Sequence, residues 1–293
     1  MKTYTILGLD FFGGTSREAV EEITRRGGLL VAPAAPSMIN LCRDEDYRRA
    51  VLGADLAIAD SGFMVLLWKL FTGEKVPRIS GLEHVKRLLE HESVRQPGAV
   101  VWVVGTESSR AKLVAFLSGE PVRLARSGRR PAIQPKSQRT GAGGQRTEDG
   151  GWNSEAGGQK SEVSVSDFSF SETIYVAPQY DRPVEDESLL ALVRQIRPKH
   201  VVIAIGGGIQ DKLGRYLLER LNYRPAVHCI GAALGFLTGD QVRIPEWADK
   251  YYFGWFFRSV AQPRIFVPRF WSARRLPWLI FQWREKLPPL GKS

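Results

Sequence analysis

The sequence predicts an α/β protein: a Rossmann-like, doubly wound, mostly parallel sheet with a basic helical C-terminal appendage. Short apolar runs without polar alternation recur along the chain, which is typical of strands buried on both faces. Several of these runs end in small residues and continue into a helix, as Ala99–Val104 does through Gly105 and Thr106. With 293 residues, of which 43% are hydrophobic, the chain can bury one large core.

Apolar periodicity and bounding glycines give the predicted order of elements. The predicted strands are residues 4–9, 29–31, 54–59, 99–104, 174–177, 200–205 and 226–230. The predicted helices are residues 16–25, 43–52, 82–92, 185–196 and 210–221, with two more after Asp60 and Thr106. Ser16 is the expected N-cap of the first helix. Strands and helices alternate on both sides of a polar interruption, which indicates one α/β core.

The interruption at residues 126–162 has almost no aliphatic side chains, and three seven-residue copies run through it: GGQRTED, GGWNSEA and GGQKSEV. Such a composition buries too little apolar surface to offset its ordering entropy, which predicts a disordered, low-complexity insert. Scattered Arg and Lys leave a nucleic-acid-binding arm as the less favoured alternative. The predicted organisation is therefore a core at 1–239 that carries this insert, followed by a basic aromatic appendage at 240–293.

Charge and cysteine content limit the possible partners and the cellular compartment of the protein. A net charge of +10 indicates an anionic partner, which could be lipid headgroups, a nucleotide diphosphate or nucleic acid. Cys42 and Cys229 are the only cysteines and lie in apolar surroundings, which favours a reducing compartment over a disulfide framework. No run reaches the roughly 18 apolar residues that a membrane span needs. We expect a cytoplasmic or peripherally attached protein.

Acidic residues at predicted element ends are the first candidates for chemistry. Asp60 follows a buried strand, where ligands bind in open α/β sheets, but it could equally cap the next helix. Asp44-Glu45-Asp46 matches the Asp-x-Asp of metal-dependent sugar transferases, yet acidic residues at a helix start complement its dipole without a ligand, and we favour that interpretation. The four histidines, His84, His91, His200 and His228, show no ligand spacing, so no metal site and no cofactor are expected.

The stretch from Gly53 to Glu83 carries Asp60, Gly73, Arg78 and Gly81 in a spacing that resembles the signature of the WecG/TagA/CpsF glycosyltransferases, family 26. The glycine turn Gly206-Gly207-Gly208 with Gln210 and Asp211 resembles a second motif of that family, and fits a dinucleotide fingerprint poorly because position 211 is not glycine. A tight strand-to-helix turn is the alternative there. The family's closing pattern is matched by Gly231, Phe236, Gly239, Arg243, Pro245, Trp247, Trp255, Arg258, Pro263 and Arg264.

The resemblance implies an inverting, metal-independent hexosyltransferase that moves an N-acetylhexosamine-type sugar from a UDP-sugar donor to a polyprenyl-diphosphate-linked sugar in cell-surface polysaccharide biosynthesis. It implies Asp60 as the general base. The residues implied to bind substrate are Arg78, Gly81, Gly206, Gln210, Asp211, Arg243, Arg258 and Arg264. The resemblance leaves open whether the protein forms a homo-oligomer.

The sequence departs from the family pattern at several positions. Where the family has Thr-Pro-Asn, this sequence has Ala32-Pro33-Ala34, and where the family has Pro-Lys, it has Gly208-Ile209. The family's Asp and Glu are replaced by Gly235 and Gly254. The alternative hypothesis is therefore a catalytically silent member that serves as a scaffold or sugar-nucleotide-binding protein.

The last 43 residues contain eight Lys or Arg, one acidic residue and four of the eight tryptophans. Interleaved basic and aromatic residues suit a segment that lies in a membrane interface, with Trp at headgroup depth and Arg against anionic lipid. Nucleic acid could use the same chemistry, but a lipid-linked acceptor favours the membrane. We expect attachment to the inner face of the cell membrane and no nucleic-acid partner.

Overall fold

A computed structural model describes residues 2–96, 98–119, 173–231, 233–239, 271 and 273–291. The predicted insert at 126–162 lies outside this part of the chain, and so do residues 240–270, which open the predicted appendage. The insert and the boundary near residue 240 stay predictions.

The described residues form an eight-stranded sheet in the order β1-β2-β4-β3-β8-β7-β5-β6. Its strands are β1 (Thr3–Ile6), β2 (Leu9–Phe12), β3 (Gly28–Val31), β4 (Leu56–Ala57), β5 (Val100–Val104), β6 (Ile174–Val176), β7 (His200–Ala204) and β8 (Ala226–Cys229). Every neighbouring pair is parallel except β1 and β2. The predicted fold class, a Rossmann-like and mostly parallel α/β sheet, is confirmed.

The first predicted strand, residues 4–9, is wrong as a single element. The chain turns at Leu7 and Gly8, whose φ angles are 53° and 77°, and β2 returns antiparallel to β1 with Ile6 opposite Leu9. Two positive φ angles define the turn that matches the twist of a two-residue hairpin, but leucine is not a residue that usually signals it. The C-terminal segment stabilises the turn, because Leu7 and Gly8 donate their N–H groups to the carbonyls of Arg284 and Glu285.

The helices flank both faces of the sheet. They are α1 (Ser16–Arg26), α2 (Ala35–Met38), α3 (Glu45–Leu52), α4 (Gly62–Thr72), α5 (Gly81–Glu90), α6 (Glu107–Leu117), α7 (Glu187–Ile196), α8 (Ile209–Arg220), α9 (Ala233–Leu237) and α10 (Leu276–Trp283). The N-cap of α1 is Thr15 and not Ser16: Thr15 and Glu18 form a reciprocal capping box, whereas Ser16 is buried.

Helix α10 packs into the main core. Ala273, Leu276, Leu279 and Ile280 are at most 6% exposed and belong to the same apolar cluster as the buried side of α4. Further along, the Pro288 carbonyl accepts from the Arg48 guanidinium. The described part of the C-terminal region is therefore bound to the core by apolar packing and backbone hydrogen bonds.

The two halves of the sheet meet where β3 lies beside β8, with Val31 opposite Cys229. Strands β1 to β4 lie on one side of this junction and β5 to β8 on the other. The loop after β3 leads to α2 and the loop after β8 leads to α9. In an open α/β sheet, the place where such neighbouring loops diverge at the carboxyl edge is the crevice in which ligands bind. This edge is where the predicted site residues should meet.

Candidate functional site

Asp60 lies just past β4, at the start of α4. It does not cap that helix, because Ser61 is the N-cap and its hydroxyl accepts the Met64 N–H. The Asp60 Oδ1 instead accepts the Gly81 N–H at 2.9 Å. Asp60 is half-buried, and no donor to its Oδ2 lies among the described residues. The carboxylate is thus held by one oxygen at the positive end of a second helix, α5.

Arg78 and Gly81 fix the main chain around Asp60. The Nε of Arg78 donates to the Asp60 carbonyl oxygen at 2.9 Å, which joins the loop before α5 to the end of β4. Gly81 is buried, and a β-carbon there would lie 3.1 Å from the Ile230 carbonyl oxygen and 3.1 Å from the Ala233 β-carbon. Glycine at this position therefore allows the first turn of α5 to approach β8 closely.

The glycine turn after β7 forms the start of α8. Gly206 and Gly208 have φ angles of 125° and 91°, which other residues rarely adopt. A β-carbon at Gly207 would lie 2.6 Å from the Ser37 hydroxyl, so the turn also passes close to α2. Within the described chain, the N–H groups of Gly206 and Gly207 have no hydrogen-bond acceptor. They are suited to an anion at the N-terminus of the 12-residue α8.

Gln210 and Asp211 are both 1% exposed and make internal hydrogen bonds. The Gln210 Oε1 accepts the Gly231 N–H at 2.8 Å, and the Asp211 Oδ2 accepts the Gly208 N–H at 2.9 Å. The Asp211 Oδ1 has no partner among the described residues. Burial raises the pKa of Asp211 to about 6, against the opposing effect of the Gly208 N–H. These two side chains hold the loops after β7 and β8 in place.

Direct contacts connect these residues along the carboxyl edge. Asp60 bonds to Gly81, Gly81 approaches Ile230, and the next residue, Gly231, bonds to Gln210 at the start of α8. The structure therefore brings together six of the predicted site residues: Asp60, Arg78, Gly81, Gly206, Gln210 and Asp211. The other three, Arg243, Arg258 and Arg264, lie outside the described residues.

The alanines that replace the family's polar residues lie in the same crevice. Ala32 follows β3, is 7% exposed, and donates its N–H to the Cys229 carbonyl at 3.2 Å. Ala34 is the N-cap of α2 and has no side chain to accept a hydrogen bond from that helix. Neither position therefore offers a hydroxyl or an amide side chain at the β3 end of the crevice.

The Asp44-Glu45-Asp46 run begins α3, in agreement with the dipole interpretation. The Asp44 carboxylate accepts the Tyr47 N–H at 3.0 Å and the Lys212 ammonium at 2.5 Å. Together with the Tyr47 N–H, Lys212 holds the pKa of Asp44 below its usual value, although burial acts in the opposite direction. In the part of the chain that the structure describes, no three His, Cys, Asp or Glu side chains are grouped to hold a metal ion.

Comparison with known protein families gives a match that covers most of the chain. The model of the glycosyl transferase WecG/TagA/CpsF family matches residues 4–136 and 165–290. No curated protein matches the chain.

Proposed function

Because the chain belongs to the WecG/TagA/CpsF family of glycosyltransferases, which act in cell-surface polysaccharide biosynthesis, we propose that it transfers an N-acetylhexosamine-type sugar from a UDP-sugar to a polyprenyl-diphosphate-linked sugar. The proposed mechanism is a single, inverting displacement that needs no metal ion. The observation that carries it is the position of Asp60, a half-buried carboxylate at the carboxyl edge of the sheet with one oxygen fixed by a helix N-terminus.

Asp60 acts as the general base. As the acceptor hydroxyl oxygen forms a bond to the anomeric carbon, Asp60 Oδ2 takes the hydroxyl proton. The bond from the anomeric carbon to the UDP oxygen breaks, and its electron pair leaves with the diphosphate. The Gly81 N–H on Oδ1 orients the carboxylate, so that only Oδ2 is offered to the acceptor.

Positive charge and N–H groups stabilise the leaving diphosphate. Gly206 and Gly207 offer two N–H groups at the start of α8, where the helix dipole favours an anion. Positive charge comes from Arg78, which lies beside Asp60, and from Arg243, Arg258 and Arg264. Charge that develops on the leaving group in a water-poor crevice is stabilised more strongly by such fixed donors than by water.

A donor and acceptor panel tests the reaction. The purified protein is mixed with different UDP-hexosamines and a short-chain polyprenyl-diphosphate-linked sugar, and both UDP release and the mass of the lipid product are measured. We expect one donor to give equimolar UDP and glycosylated lipid. Donor binding without either product would favour a second candidate function, that of a family member that binds the donor without catalysis.

That second candidate is a catalytically silent, sugar-nucleotide-binding family member. Ala32 and Ala34 favour it, because both lie at the end of β3 in the crevice and neither can hydrogen-bond a substrate through its side chain. Calorimetric titration with UDP-sugar distinguishes the candidates: both bind the donor, but only the enzyme consumes it.

The proposed location is the inner membrane face. No helix in the described ranges is both long and apolar enough to cross a membrane. However, α4 and α10 share an exposed apolar face: Leu66, Leu70, Trp278 and Phe281 are 39%, 73%, 60% and 61% exposed. The rings of Phe71 and Phe281, 5.7 Å apart, join the two helices.

We call this the α4–α10 face, consisting of Leu66, Leu70, Phe71, Trp278 and Phe281. Basic residues flank it, since Lys69, Arg274 and Arg275 are exposed. Apolar aromatic residues with neighbouring cations suit the headgroup region of an anionic bilayer better than nucleic acid, which needs stacking within a charged groove. Because α4 begins two residues after Asp60, this one helix connects the crevice to the α4–α10 face.

A further inference from the structure

All four histidines of the protein lie on one hydrogen-bonded path. The His84 Nε2 lies 3.0 Å from the His228 Nδ1, and the His228 Nε2 lies 3.1 Å from the His200 Nδ1. The Ser93 hydroxyl lies 2.7 Å from the His200 Nε2 and 2.7 Å from the His91 Nδ1. We call this path the histidine chain.

The histidine chain runs beneath α5 from the carboxyl edge of the sheet to the opposite edge. His84 is in the first turn of α5, His228 is in β8, and His200 begins β7. These three side chains are fully buried, and only His91, just past the end of α5, is partly exposed. The path therefore joins the first turn of α5 to the central strands.

Burial keeps His84, His200 and His228 neutral at physiological pH. It lowers the pKa of His84 to about 4 and the pKa of His200 to about 3, and it lowers the pKa of His228 strongly. A neutral imidazole has one N–H donor and one acceptor nitrogen, so the direction of one bond determines the direction of its neighbours. His228 and His200 each use both nitrogens, and the path has fixed geometry.

His84 gains little stability from this arrangement. Its Nδ1 is buried without a partner among the described residues, and within that part of the chain its ring hydrogen-bonds to His228 alone. A buried polar group with an unmet hydrogen bond is less stable than an apolar side chain of similar size. Such a group can instead define one geometry among several, as buried polar residues do in some proteins.

The first turn of α5, which contains His84, also contacts Asp60. Gly81 and His84 are three residues apart and share one face of α5. On this face, Gly81 packs against Ile230 and His84 hydrogen-bonds to His228. The same first turn donates the Gly81 N–H to Asp60. We propose that His84 is a positioning residue, which through His228 holds the first turn of α5, and hence the Gly81 N–H, against Asp60. This inference rests on the proposed role of Asp60 as base.

Substitutions at His84 test it. His84→Leu removes the hydrogen bond at similar volume, and His84→Gln keeps an amide near the position of Nε2. We expect His84→Leu to lower kcat about tenfold or more with little change in the KM for the donor, and to move the acid limb of the kcat profile to higher pH. His84→Gln should restore most of kcat. His91→Gln, at the exposed end of the chain and away from Asp60, is the matched control and should behave as wild type.

Hydrogen exchange provides a second measurement. In His84→Leu, the Gly81 amide should exchange faster than in wild type while amides in β7 and β8 keep their protection. If His84→Leu does not fold, His84→Asn replaces it, because the shorter amide cannot reach His228. Wild-type kcat, an unmoved acid limb and unchanged Gly81 exchange would overturn the inference and leave the proposed function intact. Full activity of an Asp60 variant would instead overturn the proposed function.

Discussion

The Gly81 N–H and the Asp60 Oδ1 are joined by a 2.9 Å hydrogen bond that connects the N-terminus of α5 to the end of β4. These residues come from two loops of the predicted family signature, and the bond brings them to the crevice beside β8. One oxygen of the carboxylate is therefore occupied by the protein, and the position of α5 controls its orientation.

Substitution of Gly81 tests that dependence. A β-carbon at this position would lie 3.1 Å from the Ile230 carbonyl oxygen, so Gly81→Ala should move the first turn of α5 by a few tenths of an ångström. We expect kcat to fall roughly tenfold, since small misplacements near the chemistry are costly, while the thermal midpoint changes by only a few degrees. Gly105→Ala is the control, because nothing lies within 4 Å of a β-carbon there. Equal kcat in both variants would contradict the argument.

Asp211 should destabilise the fold at high pH. Its folded pKa of about 6 lies above the unfolded value near 3.8, so the folded state binds more protons between these values and gains stability as pH falls through 6. Asp211→Asn keeps an oxygen for the Gly208 N–H and removes the buried charge. Urea unfolding should show the variant more stable by up to about 3 kcal/mol at pH 8, with the gain vanishing near pH 4. A pH-independent difference would show that the charge is not the cause.

The histidine chain should make the protein sensitive to acid. The folded pKa values of His84 and His200, about 4 and about 3, lie below the unfolded value of 6.5, so the unfolded chain binds more protons in this window. The free energy of unfolding should therefore fall as pH drops from 6.5 to 4, with His84 contributing up to about 3 kcal/mol. Asp211 opposes this below pH 6. Urea unfolding should give His84→Leu a shallower pH dependence than wild type, and identical slopes would exclude His84 as a source.

Much of this architecture follows from local sequence. Buried strands of a parallel sheet are apolar runs that end in small residues, so β3, β5, β7 and β8 were predictable, and with them the sheet edge that carries both Asp60 and the glycine turn. The hairpin at Leu7 and Gly8 was not, because its turn is stabilised by the chain near Arg284. Local propensity does not register such a distant contact.

The sequence did not predict the histidine chain or the inward direction of the Gln210 side chain, and the reason is again that both depend on distant contacts. Three of the four contacts in the histidine chain join positions 28 to 144 residues apart, and no spacing rule connects them. Gln210 could be placed at the start of α8, but its amide bonds to Gly231 across the edge. Side-chain direction depends on which loops the sheet order brings together.

The α4–α10 face should carry the membrane affinity. Because α10 also supplies core residues, truncation would expose Leu276 and Ile280, and surface substitutions are the cleaner test. Trp278→Ser with Phe281→Ser should reduce co-sedimentation with anionic vesicles, and binding of wild type should weaken as salt rises because headgroup attraction is screened over roughly 8 to 10 Å.

Val114→Ser is the control for this experiment, since Val114 is 46% exposed on α6, outside the α4–α10 face. It should sediment as wild type does. Wild-type sedimentation of the double variant would exclude the face, and binding to a random oligonucleotide but not to vesicles would contradict the membrane location.

The central claim is that Asp60 is the general base, and Asp60→Asn tests it most directly. Asn keeps an oxygen for the Gly81 N–H, so the fold and donor binding should be unchanged, while release of UDP and formation of glycosylated lipid should fall by roughly 10² or more. Asp10→Asn, the same change on the exposed β1–β2 hairpin, should keep wild-type turnover. Full turnover by Asp60→Asn with normal donor binding would contradict the account.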